Sequence, residues 1–457
     1  MSCSSSHSAQ RDDATLKKEA LSEFQLENLL GQLRAAIANF PDKRRGANKT
    51  YSMQDAALGA FSVFFTQSPS FLAHQSAMEK ARGESNAQTL FGLKKIPTDN
   101  HLRNLLDPVA PEFLNPVFDF VWQTLHSGGF LEPYRSVNDT VLIALDGTQY
   151  HSSKTIHCDK CNSKEHKNGT KTYSHTVVTP VIVAPGNPMV FPMEPSFVVP
   201  QDGTDKQDCE NAATKRWLGR FASRCRELGV TLLGDDLYCH QPQCQQVLDE
   251  DLNFLFVCKP DSHKTLYEWV ADFERLKTLD TFVVERRRGK KREIDTYRFV
   301  NQVPLRDSDD ALMVNWCELV TTTPEGKVLY HNAWATNHEI SQDNVVQMAA
   351  AGRTRWKVEN ENNNTLKTKG YHLTHNYGHG QEHLSSLLCA MIILAFLFHC
   401  LLELADQRYR KVRQALPRRD TFFEHIRALT LYMLFESWDA LMIFMMQGLK
   451  LDPADTS

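Results

Sequence analysis

The chain has 457 residues, of which 42% are hydrophobic and 23% are charged, and its formal net charge at pH 7 is −4. This composition is ordinary for a globular protein, and the length allows roughly two to four domains. The small net charge excludes nucleic-acid binding through overall basicity, so any such contact must come from local basic patches. The eleven cysteines are scattered and the first residues lack a signal-peptide pattern, so we expect a cytoplasmic protein rather than a secreted disulfide framework.

The first part of the chain is predicted to be helical. Residues 1–18 are polar and are expected to form a disordered tail. Residues 19–135 are predicted to form a helical domain, because apolar residues recur at helical spacing after Ser52, which is typical of a helix start. Over residues 89–106, a helix-turn-helix and plain helical packing both stay open as interpretations.

Strand patterns follow the helical region. Val141–Leu145 is continuously apolar, as expected for a strand that is buried on both faces, and Val230–Gly234 repeats this pattern. Because helical patterns separate these strands, residues 136–279 are predicted to form an α/β sheet. Residues 280–340 return to strand patterns, and the basic run at 286–292 between two of them indicates a hairpin.

Helices are predicted again after the strands, over residues 341–405 and 406–457. Within them, Leu384–Leu402 is nearly uncharged and about long enough to span a bilayer. A wholly buried helix in a globular domain has the same pattern. We favour the buried helix, since nothing else in the chain indicates a membrane protein.

Three acidic residues lie where a metal-dependent phosphoryl-transfer enzyme needs them. Asp146 follows the first apolar strand, Asp235 follows the second, and Glu359 lies on a predicted helix. Carboxylates at the ends of buried strands are held in place and bind hard divalent cations, and a third carboxylate can complete a two-metal site. Taken singly, each acid could equally be a cap or half of a surface ion pair. Asp236 and Glu361 are rivals for the second and third positions.

The motifs around these acids resemble those of the DDE transposases of bacterial insertion sequences, in insertion sequence family four. Asp146-Gly147-Thr148 resembles the family's first motif, and Asp235 to Tyr238 resembles its Asp-x-x-Tyr motif. The resemblance covers residues 40–405, which is most of the chain.

The third motif of that family is Tyr, two residues, Arg, three residues, Glu, six residues, Lys. Arg355 and Glu359 match it. Two positions depart from it, since Gly352 stands at the Tyr position and Lys367 comes one residue late. The phosphate contacts that the family makes at those two positions therefore rest on a weaker match than those of Arg355 and Glu359.

The resemblance implies an α/β fold with a ribonuclease-H-like mixed sheet, an inserted all-β subdomain over residues 280–340, an N-terminal helical domain that binds the element's ends, and C-terminal helices. It implies a transposase that cleaves DNA at terminal inverted repeats and transfers the strand. Asp146, Asp235 and Glu359 would hold two Mg²⁺ or Mn²⁺ ions. The implied partners are DNA and a second copy of the chain, with no membrane, in the bacterial cytoplasm. A DNA-binding protein without catalysis and a nuclease of the same fold are the alternatives.

Several side chains are expected to contact DNA. Arg355 and Lys367, on the helix of the third acid, would bind phosphates. Trp334 falls where family members stack a flipped base, although a core tryptophan at a strand end would look the same. The cations of the basic turn are expected to meet the DNA backbone, which predicts strong salt dependence. They are Arg286, Arg287, Arg288, Lys290 and Lys291.

A segment between the first two core strands has the residue types of a zinc site. Cys158 and Cys161 form a Cys-x2-Cys pair, whose two thiolates can bind one ion. The predicted ligands of a structural zinc ion are Cys158, Cys161, His166 and His175. Cys239 and Cys244 offer another route to four ligands. The alternative is a polar loop with two free thiols that binds no metal.

Overall fold

The computed structural model describes residues 15–45, 49–79, 85–200, 209–289 and 291–452. Over these ranges the molecule is a mixed α/β structure with a large sheet, a small sheet and many helices. The strands are β1 (Val141–Ala144), β2 (Gly147–Ser153), β3 (Asn162–Glu165), β4 (Lys171–Val178), β5 (Val181–Ala184), β6 (Asn187–Pro192), β7 (Ser196–Val198), β8 (Val230–Gly234), β9 (Asn253–Val257), β10 (Asp280–Arg288), β11 (Lys291–Pro304), β12 (Met313–Thr322) and β13 (Val328–Thr336).

The α-helices lie before, between and after these strands. They are α1 (Leu26–Ile37), α2 (Met53–Phe65), α3 (Phe71–Glu79), α4 (Asn86–Phe91), α5 (Asp99–Leu106), α6 (Asn115–Ser127), α7 (Glu210–Leu228), α8 (Gln241–Asp249), α9 (Lys264–Arg275), α10 (Val345–Thr354), α11 (Asn364–Thr368), α12 (Leu384–Ala405), α13 (Gln407–Ala415), α14 (Arg419–Tyr432) and α15 (Trp438–Gly448). Residues 15–23 are also helical, so a helix begins inside the range expected to be disordered, while residues 1–14 lie outside the described residues.

Nine strands of the described residues form the large sheet, in the order β10-β11-β12-β13-β9-β8-β1-β5-β6. β8 pairs in parallel with both β1 and β9, and the other neighbours are antiparallel. Every residue of β1, β5 and β8 is buried. This burial accounts for their unbroken apolar runs, since a strand covered on both faces has no polar face to alternate with.

The strands of residues 280–340 form a continuous all-β stretch that extends the large sheet. β13 pairs with β9, with Trp334 opposite Val257, so β10 to β13 are the outer half of one continuous sheet. The predicted hairpin around the basic turn is confirmed, because β10 and β11 pair up to Arg288 opposite Lys291.

The small sheet grows out of the large one. β2, β3 and β7 all pair with β4. Two residues separate β1 from β2, and two residues separate β4 from β5. The chain therefore passes from the large sheet into the small sheet after β1 and returns to the large sheet before β5. The first of these crossings contains Asp146.

Helix α12 is a core helix. Its apolar stretch is long enough to cross a membrane, but 89% of that stretch is buried inside the protein. The rings of Phe398 and Phe61 pack at 5.3 Å, and His399 Nε2 lies 2.9 Å from the carbonyl oxygen of Phe65 in α2. The buried-helix interpretation therefore agrees with the structure. The helix start at Ser52 is also confirmed, since its hydroxyl accepts the Asp55 N–H at 2.9 Å.

Candidate active site

Asp146 lies at the break between the two sheets. β1 ends at Ala144, and β2 begins at Gly147. The Leu145 N–H still donates to Leu233 of β8 at 2.8 Å, so the chain leaves the large sheet immediately before Asp146. The Asp146 side chain is only 20% exposed. The end of a buried strand therefore holds this carboxylate in a restricted position.

Asp235 emerges beside Asp146 because β1 and β8 are parallel. Ala144 pairs with Leu233, so the residues that follow the two strands leave the sheet at the same edge. The carboxyl ends of strands in α/β sheets are where ligands usually bind. The charges of the two carboxylates act on each other at this edge.

Asp236, the rival second acid, is engaged elsewhere. Its carboxylate accepts the N–H of Lys259 at 2.7 Å and the hydroxyl of Ser262. These bonds tie it to the loop after β9. Asp235 is thus the acid whose charge acts on Asp146.

Two glycines allow close packing next to the acids. Gly234 lies under the buried ring of Tyr238, where an added Cβ would come within 2.9 Å of the ring. Gly147 lies under the carboxylate of Glu210, which fills the space of a side chain and accepts the Gly147 N–H. Sequence reasoning missed Glu210. The one signal for it was the glycine in a strand, which often marks a close approach of another group.

The third acid comes from the helical segment that follows α10. Arg355 Nη2 lies 2.7 Å from Glu359 Oε1, and Arg355 Nη1 lies 3.9 Å from Asp146 Oδ1. Asn363 donates its side-chain N–H to Asp146 Oδ2 at 2.8 Å. One guanidinium therefore bridges the first and third acids, and the amide fixes the segment against the end of β1.

Glu359 lies in a π-helical turn, Val358–Asn363. Six residues between a glutamate and a lysine would bring both near one face of an α-helix, because 3.6 residues complete a turn. Here seven residues intervene. A π-type turn takes up one extra residue, so Lys367 returns to the face of Glu359. Such turns are frequent at functional sites.

Negative charge is concentrated at the first acid. The pKa of Asp146 is raised to about 7, first by burial and then by the charges of Glu359, Glu210 and Asp235, while Arg355 opposes the rise. Burial, followed by the charge of Asp235, also raises the pKa of Glu210. Four carboxylates around one arginine leave an excess of negative charge that a divalent cation would neutralise. Hard carboxylate oxygens are the ligands that Mg²⁺ and Mn²⁺ prefer.

The three acids do not form a closed ligand set in this conformation. Among the described residues, the groups whose ligand atoms all lie within 4.8 Å of one another consist of cysteine and histidine, and the acids are not such a group. The Glu359 side chain is 47% exposed and turned onto Arg355. Joint metal binding by all three acids requires this glutamate to rotate away from the arginine.

Trp334 is a core residue and is not available for stacking on a base in this structure. Its side chain is fully buried in β13. The indole packs on Gly352, where an added Cβ would lie 2.5 Å from the ring. A larger side chain at this position would collide with the indole. The exposed aromatic residue of this region is Trp356, which is 44% exposed and which sequence reasoning did not single out.

Arg286 is held by the sheet rather than being free for DNA. Its guanidinium pairs with the carboxylate of Asp295, which is completely buried in β11. The same arginine lines a cavity of about 420 Å³ together with Arg353 and Trp356. The expectation of a direct phosphate contact is therefore weaker for Arg286 than the sequence suggested.

Arg287 is exposed on β10, so it stays a candidate for contact with the DNA backbone. For Arg288 and Lys291 the structure describes the backbone pairing that closes the hairpin. Lys290 lies outside the described residues.

The predicted zinc ligands come together with one exception. The atoms within 4.8 Å of one another belong to Cys158, Cys161, His175 and His379. His166 is not part of this cluster: it is exposed, and its Nε2 lies 2.8 Å from the Thr172 hydroxyl. The assignment of His166 as a ligand was wrong, because it lies in the turn between β3 and β4.

The later cysteines do not supply a fourth ligand to this cluster. Cys239 groups instead with Cys258 and His263, near the end of β8. Cys244 is buried in α8, beside Cys239. The two cysteine-containing groups are therefore separate.

No protein-family model matches the chain, and no curated protein matches it at a significant level. Its function is inferred from the motifs and from the site geometry.

Proposed function

We propose that this protein is a DDE-type DNA transposase, which cleaves DNA at the terminal inverted repeats of an insertion sequence and joins the freed ends to a target. One observation carries the proposal: Asp146 and Asp235 follow adjacent parallel strands and lie beside the helical segment of Glu359. Arg355, on the same segment, contacts both Asp146 and Glu359. This combination suits phosphoryl transfer, in which positioning and charge neutralisation supply most of the catalysis.

The strand arrangement supports a ribonuclease-H-like core. The five central strands follow the order β6-β5-β1-β8-β9, with the first three antiparallel and the last three parallel. A ribonuclease-H-like sheet has this order, with its acids at the ends of the strands that come first and fourth along the chain. Among these five strands, β1 comes first and β8 fourth along the chain, which supports the assignment.

The residues of the site divide into metal-holding and phosphate-binding groups. Asp146, Asp235 and Glu359 would hold two Mg²⁺ or Mn²⁺ ions, and these ions supply activation of the attacking oxygen and stabilisation of the leaving oxygen. Arg355 would bind a phosphate in a bidentate manner once the glutamate turns away from it. Lys367, on the same face, adds a second cation for the same strand.

Two further residues position the first acid. Asn363 donates to one oxygen of Asp146 and leaves the other to face the arginine. Glu210 fixes the backbone at Gly147 and adds negative charge that favours cation binding. Neither residue is needed for transfer of a proton in this scheme.

The decisive experiment is incubation of the protein with Mg²⁺ and the DNA that flanks its coding sequence, followed by mapping of strand ends. We expect cleavage at the terminal repeats that leaves 3′-hydroxyl ends and then their joining to target DNA. Cleavage without joining would favour a nuclease of the same fold. Binding without cleavage by wild-type protein would contradict the proposal and favour a non-catalytic DNA-binding protein.

The proposed setting follows from the same assignment. The protein would act in the bacterial cytoplasm on its own element, as a homodimer bound to two DNA ends. Light scattering of the complex with end DNA measures the number of chains directly. A complex with one chain per pair of ends would contradict the dimer.

A further inference from the structure

The Cys/His cluster has the spacing of a tetrahedral zinc site. His175 Nε2 lies 3.6 Å from Cys158 Sγ and 3.4 Å from Cys161 Sγ. His379 Nε2 lies 3.5 Å from Cys161 Sγ. Zinc bonds of about 2.3 Å to sulfur and about 2.0–2.1 Å to nitrogen separate these atoms by roughly 3.6 Å at tetrahedral angles. These three sulfur–nitrogen distances thus match those that one central ion would impose, and all four ligand atoms lie within 4.8 Å of one another.

The sulfur and nitrogen atoms of this cluster share their contacts. Cys161 Sγ lies near a nitrogen of both imidazoles, and His175 Nε2 lies near both sulfurs. Thiols are weak donors and weak acceptors of hydrogen bonds, whereas a central cation would contact all four atoms at once. Cys161, His175 and His379 are each at least 91% buried, so unsatisfied contacts here would be costly.

Three of the ligands belong to the small sheet. Cys161 donates its N–H to the carbonyl of Cys158 at 3.1 Å, and this tight turn brings the two sulfurs to the same side. His175 lies in β4, where its pairing opposite His151 of β2 fixes the direction of its side chain. The turn and the strand together form a ligand pocket before the fourth ligand is added.

The fourth ligand comes from a rigid loop that leads into α12. The Asp107 carboxylate accepts the N–H groups of Gln381 and Leu384 at 3.0 and 3.1 Å. Gly380 has φ of 69°, which favours glycine, and an added Cβ there would collide with Asp107. His379 is therefore presented to the cluster by a loop that hydrogen bonds to Asp107 hold against α5.

We propose that Cys158, Cys161, His175 and His379 bind one structural Zn²⁺ ion that fastens the small sheet to the loop before the core helix. Four protein ligands complete a tetrahedral site and leave no open position for a substrate. Thiolate ligands select zinc over magnesium, so this site is chemically separate from the acidic centre. Because β2 begins directly after Asp146 and pairs with β4, which carries His175, the ion stabilises the small sheet that the chain enters after the first acid.

The test is the zinc content of the full chain, purified under reducing conditions without a histidine tag and reconstituted with ZnCl₂. We expect one zinc per chain for wild type and none for Cys161→Ser or His379→Gln. The matched controls are Cys209→Ser and His166→Gln, which change an exposed cysteine and the exposed histidine of the same hairpin. Both controls should keep one zinc per chain.

Cobalt substitution provides a second measurement if the cysteine variant does not fold. Wild-type protein loaded with Co²⁺ should have the visible spectrum of a tetrahedral site with thiolate ligands. A spectrum of octahedral Co²⁺, a Cys158–Cys161 disulfide in reduced preparations, or full zinc content in His379→Gln would overturn the proposal. Asp146→Asn should retain zinc whatever its activity, so failure of the zinc site and failure of the transposase assignment are distinguishable.

Discussion

The acidic centre and the Cys/His cluster are both candidate metal sites, but they are built in opposite ways. In the acidic centre, like charges crowd together, one acid is half-exposed, and an arginine lies between the first and third carboxylates. In the Cys/His cluster, four ligand atoms lie within 4.8 Å of one another and are enclosed by the fold. The acids of the first site do not form a closed set of metal ligands by themselves. The four ligand atoms of the second site form a closed set that needs no substrate.

This difference separates a reactive site from a structural one. A catalytic metal site keeps open positions and tolerates electrostatic strain, since its binding energy is used during the reaction. A structural site saturates its ion and adds the binding energy to folding. The two regions should therefore respond differently to substitution, chelation and pH.

The largest expected effect is on DNA cleavage. Asp146→Asn, Asp235→Asn and Glu359→Gln should each lower the cleavage rate by about 10²–10³-fold or more, because each removes a carboxylate that would hold the metal ions that stabilise the transition state. The fold and the zinc content should not change. Rates are measured on end DNA with Mg²⁺.

The matched control for that series is Glu361→Gln, which neutralises the rival acid in the same π-helical turn. It should cleave at nearly the wild-type rate. If Glu361→Gln is as inactive as Glu359→Gln, the third acid is misassigned.

The next effect is on stability and belongs to the Cys/His cluster. Removal of zinc by a chelator should lower the free energy of unfolding by about 4 kcal/mol relative to protein with free zinc at a thousand times its Kd. Addition of Mg²⁺ should not restore it. Urea unfolding with and without added zinc measures this difference, and equal midpoints would contradict a structural role.

A smaller effect concerns the pH dependence of the metal-free protein. The pKa of Asp146 is raised from 3.8 to about 7, so the folded state binds the extra proton between these values and stability falls as pH rises through this window. Asp146→Asn removes this slope. In EDTA at pH 8 the variant should be more stable than wild type by about 4 kcal/mol, and the difference should vanish near pH 4.

Urea unfolding at both pH values provides the measurement. A variant less stable than wild type at pH 8 would mean that Asp146 is a stabilising cap and not a strained acid. The Cys/His cluster should not alter the comparison, since both proteins retain it.

The smallest effect distinguishes two arginines of the basic turn. Arg287→Gln should reduce the slope of log binding constant against log salt by about 1 and leave stability unchanged, because Arg287 is exposed. Arg286→Gln should instead destabilise the fold, since it leaves Asp295 buried without its partner. Salt titrations of DNA binding measure the effect of Arg287→Gln, and urea unfolding curves measure the effect of Arg286→Gln. An unchanged salt slope in Arg287→Gln would remove this turn from the DNA interface.

The sequence by itself determined the features that depend on neighbours along the chain. Unbroken apolar runs predicted that β1 and β8 are buried strands. The first acidic residue after each run, Asp146 or Asp235, was therefore expected at the end of a strand. The cap at Ser52, the hairpin around the basic turn and the core helix α12 were likewise readable from periodicity and turn residues.

Only the tertiary structure decided which distant residues meet. His379 is 218 positions from Cys161 in the chain. The spacing of nearby residues therefore could not identify His379, rather than His166, as the fourth residue of the cluster. Glu210 against Gly147, Trp334 against Gly352 and Arg286 with Asp295 are contacts of the same kind. Local patterns fix the direction of a backbone, whereas these pairings depend on how the elements pack, and packing is a property of the whole chain.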